Sequence, residues 1–323
     1  MLKDFFGPDF FQKYWDKSPV LFRDTGYQPL NESQSMQLIS MLIMQLATGK
    51  DTAGIRVFAD EIQVNEKQMQ QLMSMELNDI GGFADLICRA QQTLKVESYA
   101  LVINDIGKID PFIQRTIENF VGLFVEQVGI PARETEIGLF GGDYRKTPFG
   151  IHRDLGNDNV TFGVVGEKDF LLWPPDYFSG EIAREKNFAN DGENIVCDQA
   201  TYEDFKKDAI RMTVKPGDIL YWPDWWHTAD VAPGKIQLTL SLGFWRNIDL
   251  ADLAAKHLKD LLYSGLSEKG VYKGYFAANS ALPERVDKLE LHIAQLVQQG
   301  KFRDSLQKWW SDRLRNKGFI VNS

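Results

Sequence analysis

The sequence is poor in cysteine, in histidine and in long apolar runs, and it has no surplus of positive charge. Its two cysteines, Cys88 and Cys197, are too few for a disulfide framework or a cysteine-based zinc site. The net charge of −9 argues against broad nucleic-acid binding, which needs a basic surface. No run approaches the roughly 18 apolar residues of a membrane span, and the N-terminus lacks the apolar stretch of a secretory signal. We therefore expect a soluble, cytoplasmic protein with reduced thiols.

The residue pattern divides the chain into three regions. Residues 1–133 mix helices with a few strands, and residues 249–323 have helical spacing. Between them, residues 134–248 carry short β-type runs separated by Gly, Pro and Asp turns, which is typical of a sandwich or barrel. We predict a mainly β fold with helical additions, in which the N-terminal region completes a central barrel.

Periodicity, caps and chain breakers predict the individual elements. The predicted helices are 9–17, a helix capped by Asn31 or Ser33 that runs through Leu46, 83–94, 111–127, 250–263, 283–299 and 302–315. The predicted strands are 20–22, 99–103, 135–141, 149–153, 160–165, 169–173, 210–214, 218–222 and 236–245. Gly300 and Gly318 are predicted helix stops.

Two of the four histidines lie in a pattern that indicates a metal site. His152 and Asp154 are two residues apart in a predicted strand, so both side chains point to one face, and Arg153 faces away. His227 follows 75 residues after His152, at the start of another predicted strand. Two imidazoles and one carboxylate leave other positions of an ion open, as in non-haem Fe(II) oxygenases. We predict that His152, Asp154 and His227 bind one metal ion.

The segments around these residues resemble a known family. Residues 217–227, Gly-Asp-Ile-Leu-Tyr-Trp-Pro-Asp-Trp-Trp-His, look like the signature of JmjC-type cupin oxygenases. Three further segments resemble the branch that contains the asparaginyl hydroxylases and the bacterial ribosomal-protein hydroxylases: 11–19, 170–176 and 243–245. The resemblance covers roughly residues 8–25 and 134–247. It implies a double-stranded β-helix, the jelly-roll or cupin core, flanked by N-terminal α/β and C-terminal helical segments.

The resemblance also implies an Fe(II)- and 2-oxoglutarate-dependent dioxygenase. Such a hydroxylase consumes 2-oxoglutarate and O₂, releases succinate and CO₂, and places a hydroxyl group on an unactivated C–H. The expected substrate is an amino-acid side chain of a protein, a peptide, or a free or carrier-bound amino acid. Lysine demethylation uses the same oxidant, but no segment resembles a histone-reader module. Two alternatives stay open: a cupin that binds Zn²⁺ or Mn²⁺ without oxygen chemistry, and a 2-oxoglutarate-independent enzyme on the same scaffold.

Lys168 is the predicted partner of the distal carboxylate of 2-oxoglutarate. It lies five residues before a Trp-Pro-Pro turn, which is the place of the carboxylate-binding lysine in the resembled branch. It also lies between apolar runs, where a lysine is costly to bury without an anion. The alternative is an exposed lysine in a hairpin turn. Arg145 and Arg153 are rivals for the carboxylate.

The resemblance assigns three more residues to the co-substrate. Asn159 matches a polar position near the metal-side carboxylate, and Tyr144 and Thr147 precede the H-x-D segment, where hydroxyls help to hold the distal carboxylate. One departure is Gly243, because the asparaginyl hydroxylase carries an asparagine there. The corresponding contact is then missing or is made by Thr239 or Ser241.

The substrate and the partners are the least determined part of the sequence. Trp222, Trp226 and Arg153 are the candidates for the substrate pocket. The connection 176–201 is long for a barrel loop and rich in acidic residues, which favours a basic target. We expect a homodimer through the helical segment 250–263, with the later helices forming a small cap.

Overall fold

The structure, a computed structural model, divides the chain into two compact units, residues 1–247 and 248–323. It describes residues 2–47, 54–75, 80–129, 135–145, 147–180, 182, 185–231, 234–245, 255, 258–259, 261–262 and 281–316. Apart from five helical positions, the predicted dimer helix 250–263 lies outside the described residues, and so does Gly318. The dimer and the three-region division of the chain stay predictions.

Fourteen strands form the framework of the described part of the first unit. They are β1 Val20–Phe22, β2 Ile55–Ala59, β3 Ile62–Gln63, β4 Tyr99–Ile103, β5 Glu136–Asp143, β6 Ile151–His152, β7 Asn157–Val165, β8 Lys168–Trp173, β9 Phe188–Asn190, β10 Asn194–Cys197, β11 Ile210–Val214, β12 Ile219–Trp222, β13 Trp226–Asp230 and β14 Gln237–Trp245.

These strands pair into two sheets. The larger sheet has the order β1-β12-β7-β14-β5-β4-β2-β3, and the smaller has the order β11-β8-β13-β6-β10-β9. Every pair of named strands is antiparallel. The N-terminal strands β1 to β4 therefore extend the sheet that contains β5, β7 and β14. The predicted mainly β fold with helical additions is confirmed.

The described helices of the first unit are α1 Leu2–Phe5, α2 Pro8–Lys13, α3 Glu32–Ala47, α4 Glu66–Met73, α5 Phe83–Leu94, α6 Pro111–Val128 and α7 Gln199–Asp208. Those of the second are α8 Ala281–Gln298 and α9 Lys301–Asn316. Asn31 caps α3, because its Oδ1 accepts a hydrogen bond of 2.9 Å from the Gln34 backbone N–H. Among these described helices, none combines the length and the apolar character needed to cross a membrane.

Strand alternation gives the larger sheet one apolar face and one polar face. Phe162 on β7 and Phe244 on β14 face helix α6, where their rings lie 5.1 Å from Phe120 and 5.2 Å from Phe124. Asn159 and other alternate residues of the same strands point the opposite way. The helices thus bury the outer face of this sheet and leave its inner face to a cavity.

The connection 176–201 is not the free loop that its length suggests. It folds into the β9–β10 hairpin, and β10 pairs with β6, the strand that carries His152. Its acidic side chains hold its own turns: Asp191 accepts from the Asn194 backbone N–H at 2.6 Å, and Asp198 caps α7 through the Thr201 backbone N–H at 2.8 Å. The acidity that favoured a basic target therefore has a local structural role.

Candidate metal centre and cofactor cavity

The smaller sheet places the two predicted histidine ligands side by side. His152 on β6 and His227 on β13 are register partners, and their ring centroids are 4.1 Å apart. Asp154 Oδ2 lies 3.7 Å from His227 Nε2, and donor atoms of all three residues lie within 4.8 Å of one another. Metal–ligand bonds of about 2.0–2.2 Å keep two donors at most about 4.4 Å apart. Binding an ion therefore needs only a small closing of the triad.

Asp154 reaches this cluster from a turn and not from a strand. Strand β6 ends at His152, and the Asn157 backbone N–H donates to the Asp154 carbonyl at 3.0 Å. The turn continues through Gly156, which has a φ of 71°. The same-face argument for His152 and Asp154 was therefore wrong for the carboxylate. Its position is set by this turn and by Asn159, whose Nδ2 lies 3.3 Å from Asp154 Oδ2.

Both imidazoles are oriented by main-chain carbonyls. Nδ1 of His152 lies 3.2 Å from the Gly150 carbonyl oxygen, and Nδ1 of His227 lies 3.2 Å from that of Trp225. A carbonyl only accepts, so each Nδ1 carries the proton and each Nε2 offers a lone pair. Burial and the neighbouring His152 lower the pKa of His227, which favours its neutral form. Two neutral imidazoles and one carboxylate fit a divalent cation with open positions.

The triad opens into a cavity of about 540 Å³ between the two sheets. Side chains from both sheets line it. Those from the smaller sheet include His152, Lys168, Phe170 and His227, and those from the larger sheet and its connections include Tyr144, Thr147, Asn157, Asn159 and Trp222. The predicted metal ligands and the predicted co-substrate residues thus line one cavity.

Lys168 is a buried cation at one end of this cavity. It begins β8 and is 4% exposed, while its neighbours Glu167 and Asp169 point outward to Lys215 and Thr213. Burial lowers the pKa of Lys168 to about 7. Its Nζ donates to Thr239 Oγ1 at 3.3 Å, and no carboxylate of the described residues forms an ion pair with it. The exposed hairpin lysine was therefore the wrong alternative.

Aromatic rings surround the Lys168 ammonium. The ring centroids of Phe170, Tyr144 and Phe140 lie 5.2, 5.7 and 5.9 Å from Nζ. The rival candidate Arg145 is exposed and does not line the cavity, whereas Lys168 is buried and lines it. A bound carboxylate would meet a cation that water reaches poorly.

The other predicted co-substrate residues also line the cavity. Tyr144 is buried there, and Thr147 Oγ1 accepts from the Ala229 backbone N–H at 3.1 Å, which ties its loop to β13. At Gly243, an added Cβ would lie 2.6 Å from Asn157 Nδ2. The amide of Asn157 therefore occupies the space that an asparagine at position 243 would need.

Of the predicted substrate residues, only Trp222 faces the cavity. Its ring lies 5.1 Å from that of His227, and its buried Nε1 has no hydrogen-bond partner. Trp226 precedes His227 and so points to the opposite face of β13, where its ring packs 5.3 Å from Phe178 and its Nε1 donates to the Pro175 carbonyl at 3.0 Å. Trp226 therefore does not line the candidate substrate pocket.

Arg153 also does not line the candidate substrate pocket. Its guanidinium forms an ion pair with Asp224, and Asp224 Oδ2 accepts from the Gly156 backbone N–H at 3.1 Å. This pair joins the turn that carries Asp154 to the turn that precedes His227. The role of Arg153 in the structure is to connect the two ligand-bearing segments.

Several lining residues were not found from the sequence, among them Arg56, Phe149, Asn157 and Trp245. Arg56 belongs to β2, which reaches the cavity only because β4 joins it to β5. No motif in the sequence signals that pairing. Asn157 and Trp245 could have been found from strand alternation, since they share faces with Asn159 and Gly243.

Comparison with known proteins finds one matching family and several similar solved structures. The model of the cupin-like domain family matches residues 16–247, and no curated protein sequence matches the chain. The X-ray structure of Escherichia coli YcfD is similar with a TM-score of 0.48 and 15% identity over 91% of this chain and 68% of that one.

Two further structures are of YcfD described as a ribosomal oxygenase from Escherichia coli. One, in complex with cobalt and succinic acid, has a TM-score of 0.46 and 15% identity over 93% of this chain and 69% of that one. The other, with cobalt and 2-oxoglutarate, has a TM-score of 0.48 and 15% identity over 95% and 70%. Likeness at this level transfers no residue role. The family match does span every strand from β1 to β14 and all three residues of the triad, so the chain belongs to the cupin-like domain family.

Proposed function

We propose that the protein is an Fe(II)- and 2-oxoglutarate-dependent hydroxylase that acts on an amino-acid side chain. His152, Asp154 and His227 would hold the iron, and Lys168 would bind the distal carboxylate of 2-oxoglutarate. When bound, iron and 2-oxoglutarate react with O₂ to supply the oxidant for C–H hydroxylation, and succinate and CO₂ are released. The two Nε2 atoms and one carboxylate oxygen leave open positions for such ligands.

The buried Lys168 is the observation that carries this proposal. An ammonium buried without an anion costs several kcal/mol, which a ligand carboxylate would offset. A cupin that only holds a metal needs the triad but has no need for a second, buried cation in the same cavity. Along β8, Lys168 lies four residues from Leu172, the register partner of His227. That spacing is about 13 Å of strand, which a lysine side chain and a short dicarboxylate can bridge together.

Other residues would shape the site around these ligands. Asn159 donates to Asp154 Oδ2, the oxygen that faces His227, and thereby would orient a metal ligand. Phe140, Tyr144 and Phe170 keep water from the ammonium, which strengthens its attraction for a carboxylate. Tyr144 and Thr147 supply hydroxyl groups at the cavity wall. A protein or peptide substrate, cytoplasmic location and a homodimer are part of the same proposal.

The first experiment measures anaerobic binding of Fe(II) and 2-oxoglutarate, followed by succinate release when air is admitted without substrate. We expect slow succinate formation in wild type and none in His152→Ala. The matched control is His292→Ala, because His292 lies on α8 in the second unit.

Two outcomes would contradict the proposal in different ways. Tight metal binding without 2-oxoglutarate binding or succinate would favour a cupin without oxygen chemistry. Turnover that is unchanged in Lys168→Ala would favour a 2-oxoglutarate-independent enzyme.

A further inference from the structure

We propose that Arg56 forms a second anion subsite in the cavity and that the primary substrate carries a carboxylate bound by this guanidinium. The inference rests on the proposed function, because it names the class of molecule that the cavity would receive beside 2-oxoglutarate. The carboxylate can belong to an acidic side chain or to a chain terminus, and both present the same planar pair of oxygens.

Arg56 is connected to the metal centre by an aromatic ring. It lies on β2 and lines the same cavity as His152, Asp154 and His227. Its Cζ is 4.7 Å from the ring centroid of Phe149, and that ring lies 5.9 Å from the His152 ring. The guanidinium and the first metal ligand are therefore separated by no more than these two distances together. A group held by Arg56 would therefore share the cavity with the candidate metal ligands.

The charge of Arg56 is not compensated by the described residues. Its Nε is buried without a hydrogen-bond partner, and no described carboxylate forms an ion pair with it. Asp105 and Glu136 also line the cavity, yet burial alone accounts for the lowered pKa of Arg56. A guanidinium stays protonated under such conditions and offers two parallel N–H groups. That geometry matches a carboxylate better than a neutral or basic group.

Among the described residues that line the cavity, the cationic side chains are Arg56 and Lys168, and each could bind one ligand carboxylate. Lys168 lies on the smaller sheet and is almost fully buried, whereas Arg56 lies on the larger sheet and is half-buried. 2-Oxoglutarate has one carboxylate left after its metal-binding end is engaged, and Lys168 would take it. The anion for Arg56 must then come from the other ligand. A basic side chain placed beside Arg56 would be repelled. Among the described residues of the acidic 176–201 connection only Asn194 lines the cavity, so its acidity is a poor guide to the substrate.

The experiment uses three amino-acid probes that differ only in their carboxylates. N-acetyl-aspartate α-methylamide has a side-chain carboxylate, N-acetyl-asparagine has an α-carboxylate, and N-acetyl-asparagine methylamide has none. Each is titrated by NMR into the full chain loaded with Mn²⁺ and 2-oxoglutarate, and paramagnetic broadening reports whether the bound probe lies near the metal. The variants are Arg56→Met, Lys168→Met and, as a matched exposed control, Arg115→Met.

We expect at least one charged probe to bind wild type about 10-fold more tightly than the neutral probe, the effect of a charge-assisted hydrogen-bond pair. This preference should disappear in Arg56→Met and persist in Lys168→Met and Arg115→Met. Which charged probe is preferred distinguishes an acidic side chain from a chain terminus. If Arg56→Met fails to fold, as judged by its melting temperature, Arg56→Gln takes its place.

Two results would overturn the proposal. One is equal or undetectable binding of charged and neutral probes to wild type. The other is a preference that is lost in Lys168→Met and kept in Arg56→Met, which would assign the anion site to the lysine. Neither depends on turnover, because Mn²⁺ is used without catalysis. Failure of the proposed function would instead appear as absent 2-oxoglutarate-dependent succinate with Fe(II).

Discussion

The two ends of the cavity differ in their access to water. At the deep end, Lys168 is 4% exposed and is enclosed by three aromatic rings. At the open end, the Asp154 side chain is 38% exposed and Arg56 is half-buried. A cation shielded from water suits a small ligand that is buried on binding. A more exposed cation suits a group that a larger molecule presents. Under the proposed function, this difference would separate a co-substrate end from a substrate end within one cavity.

The ends also differ in what holds their polar groups. Around the triad, main-chain carbonyls and Asn159 orient the ligand atoms. Around Lys168, the described polar contact is a single hydroxyl, that of Thr239. The metal end is therefore pre-formed, whereas the lysine end would gain most from a ligand. Variants at each end can test this comparison.

The largest effect is expected at the metal end. His227→Ala removes one of three donors, so we expect loss of bound iron and a fall of about 10³-fold or more in succinate formation. Metal content by mass spectrometry and succinate release measure the two effects separately. His292→Ala offers a control histidine from the second unit. Full metal content together with full turnover in His227→Ala would show that the triad is not the metal site.

At the deep end, Lys168→Met should weaken function and strengthen the fold. Loss of a buried charged hydrogen bond should raise the KM for 2-oxoglutarate about 100-fold. Without ligand, the free energy of unfolding should rise, because an uncompensated ammonium is no longer buried. Denaturant melts with and without 2-oxoglutarate measure both effects.

The sign of the pH dependence follows from the lowered pKa of Lys168, about 7 against 10.5 in a free lysine. Between these values the unfolded chain binds the proton more than the folded chain does, so wild-type stability should rise with pH. The advantage of Lys168→Met should be greatest below pH 7, of the order of 5 kcal/mol, and should shrink toward pH 10.5. The exposed control Lys67→Met should show no such change. Equal stability of Lys168→Met and wild type at pH 6 would contradict the description of the deep end.

Variants of two tryptophans near the triad allow a comparison of the cavity with the core, because Trp222 lines the cavity and Trp226 packs in the core. Trp226→Phe removes the hydrogen bond from Trp226 Nε1 to the Pro175 carbonyl oxygen, whereas Trp222→Phe removes an Nε1–H that has no hydrogen-bond partner. We expect Trp226→Phe to lower the free energy of unfolding by about 1–2 kcal/mol more than Trp222→Phe does. The same substitution is made in both variants, so each controls for the other. Equal losses in chemical denaturation would remove the distinction between the two residues.

The smallest effect is expected at Asn159. Its amide contacts Asp154 and not the ion itself, so Asn159→Ala should weaken metal affinity about 10-fold. Competition with a chelator of known affinity measures this change. Asn190→Ala on the β9 edge strand is the control. An affinity equal to that of wild type would mean that the turn alone positions Asp154.

Local sequence was sufficient for elements with a strong pattern. Helix α5 and strands β1, β4 and β11 have the predicted bounds, because their periodicity and their end signals agree. The sequence missed the helices α1, α4 and α7 and the strands β2, β3, β9 and β10. These strands have short or mixed patterns, and their neighbours in the sheets decide their structure. The prediction that Asp154 shares a strand face with His152 also failed, because the chain turns after His152 to reach β7.

The sequence by itself determined the family, the mainly β fold and the three residues of the triad, since these follow from residue types within short sequence motifs. Only the tertiary structure decided which side chains enter the cavity. Neighbouring residues of a strand face opposite sides of the sheet, which is why His227 lines the cavity and Trp226 lies in the core. Pairing of distant strands likewise buried Lys168 and brought Arg56 to the cavity that the triad lines. Such contacts are set by strand register between segments far apart in the chain, and no local pattern encodes that register.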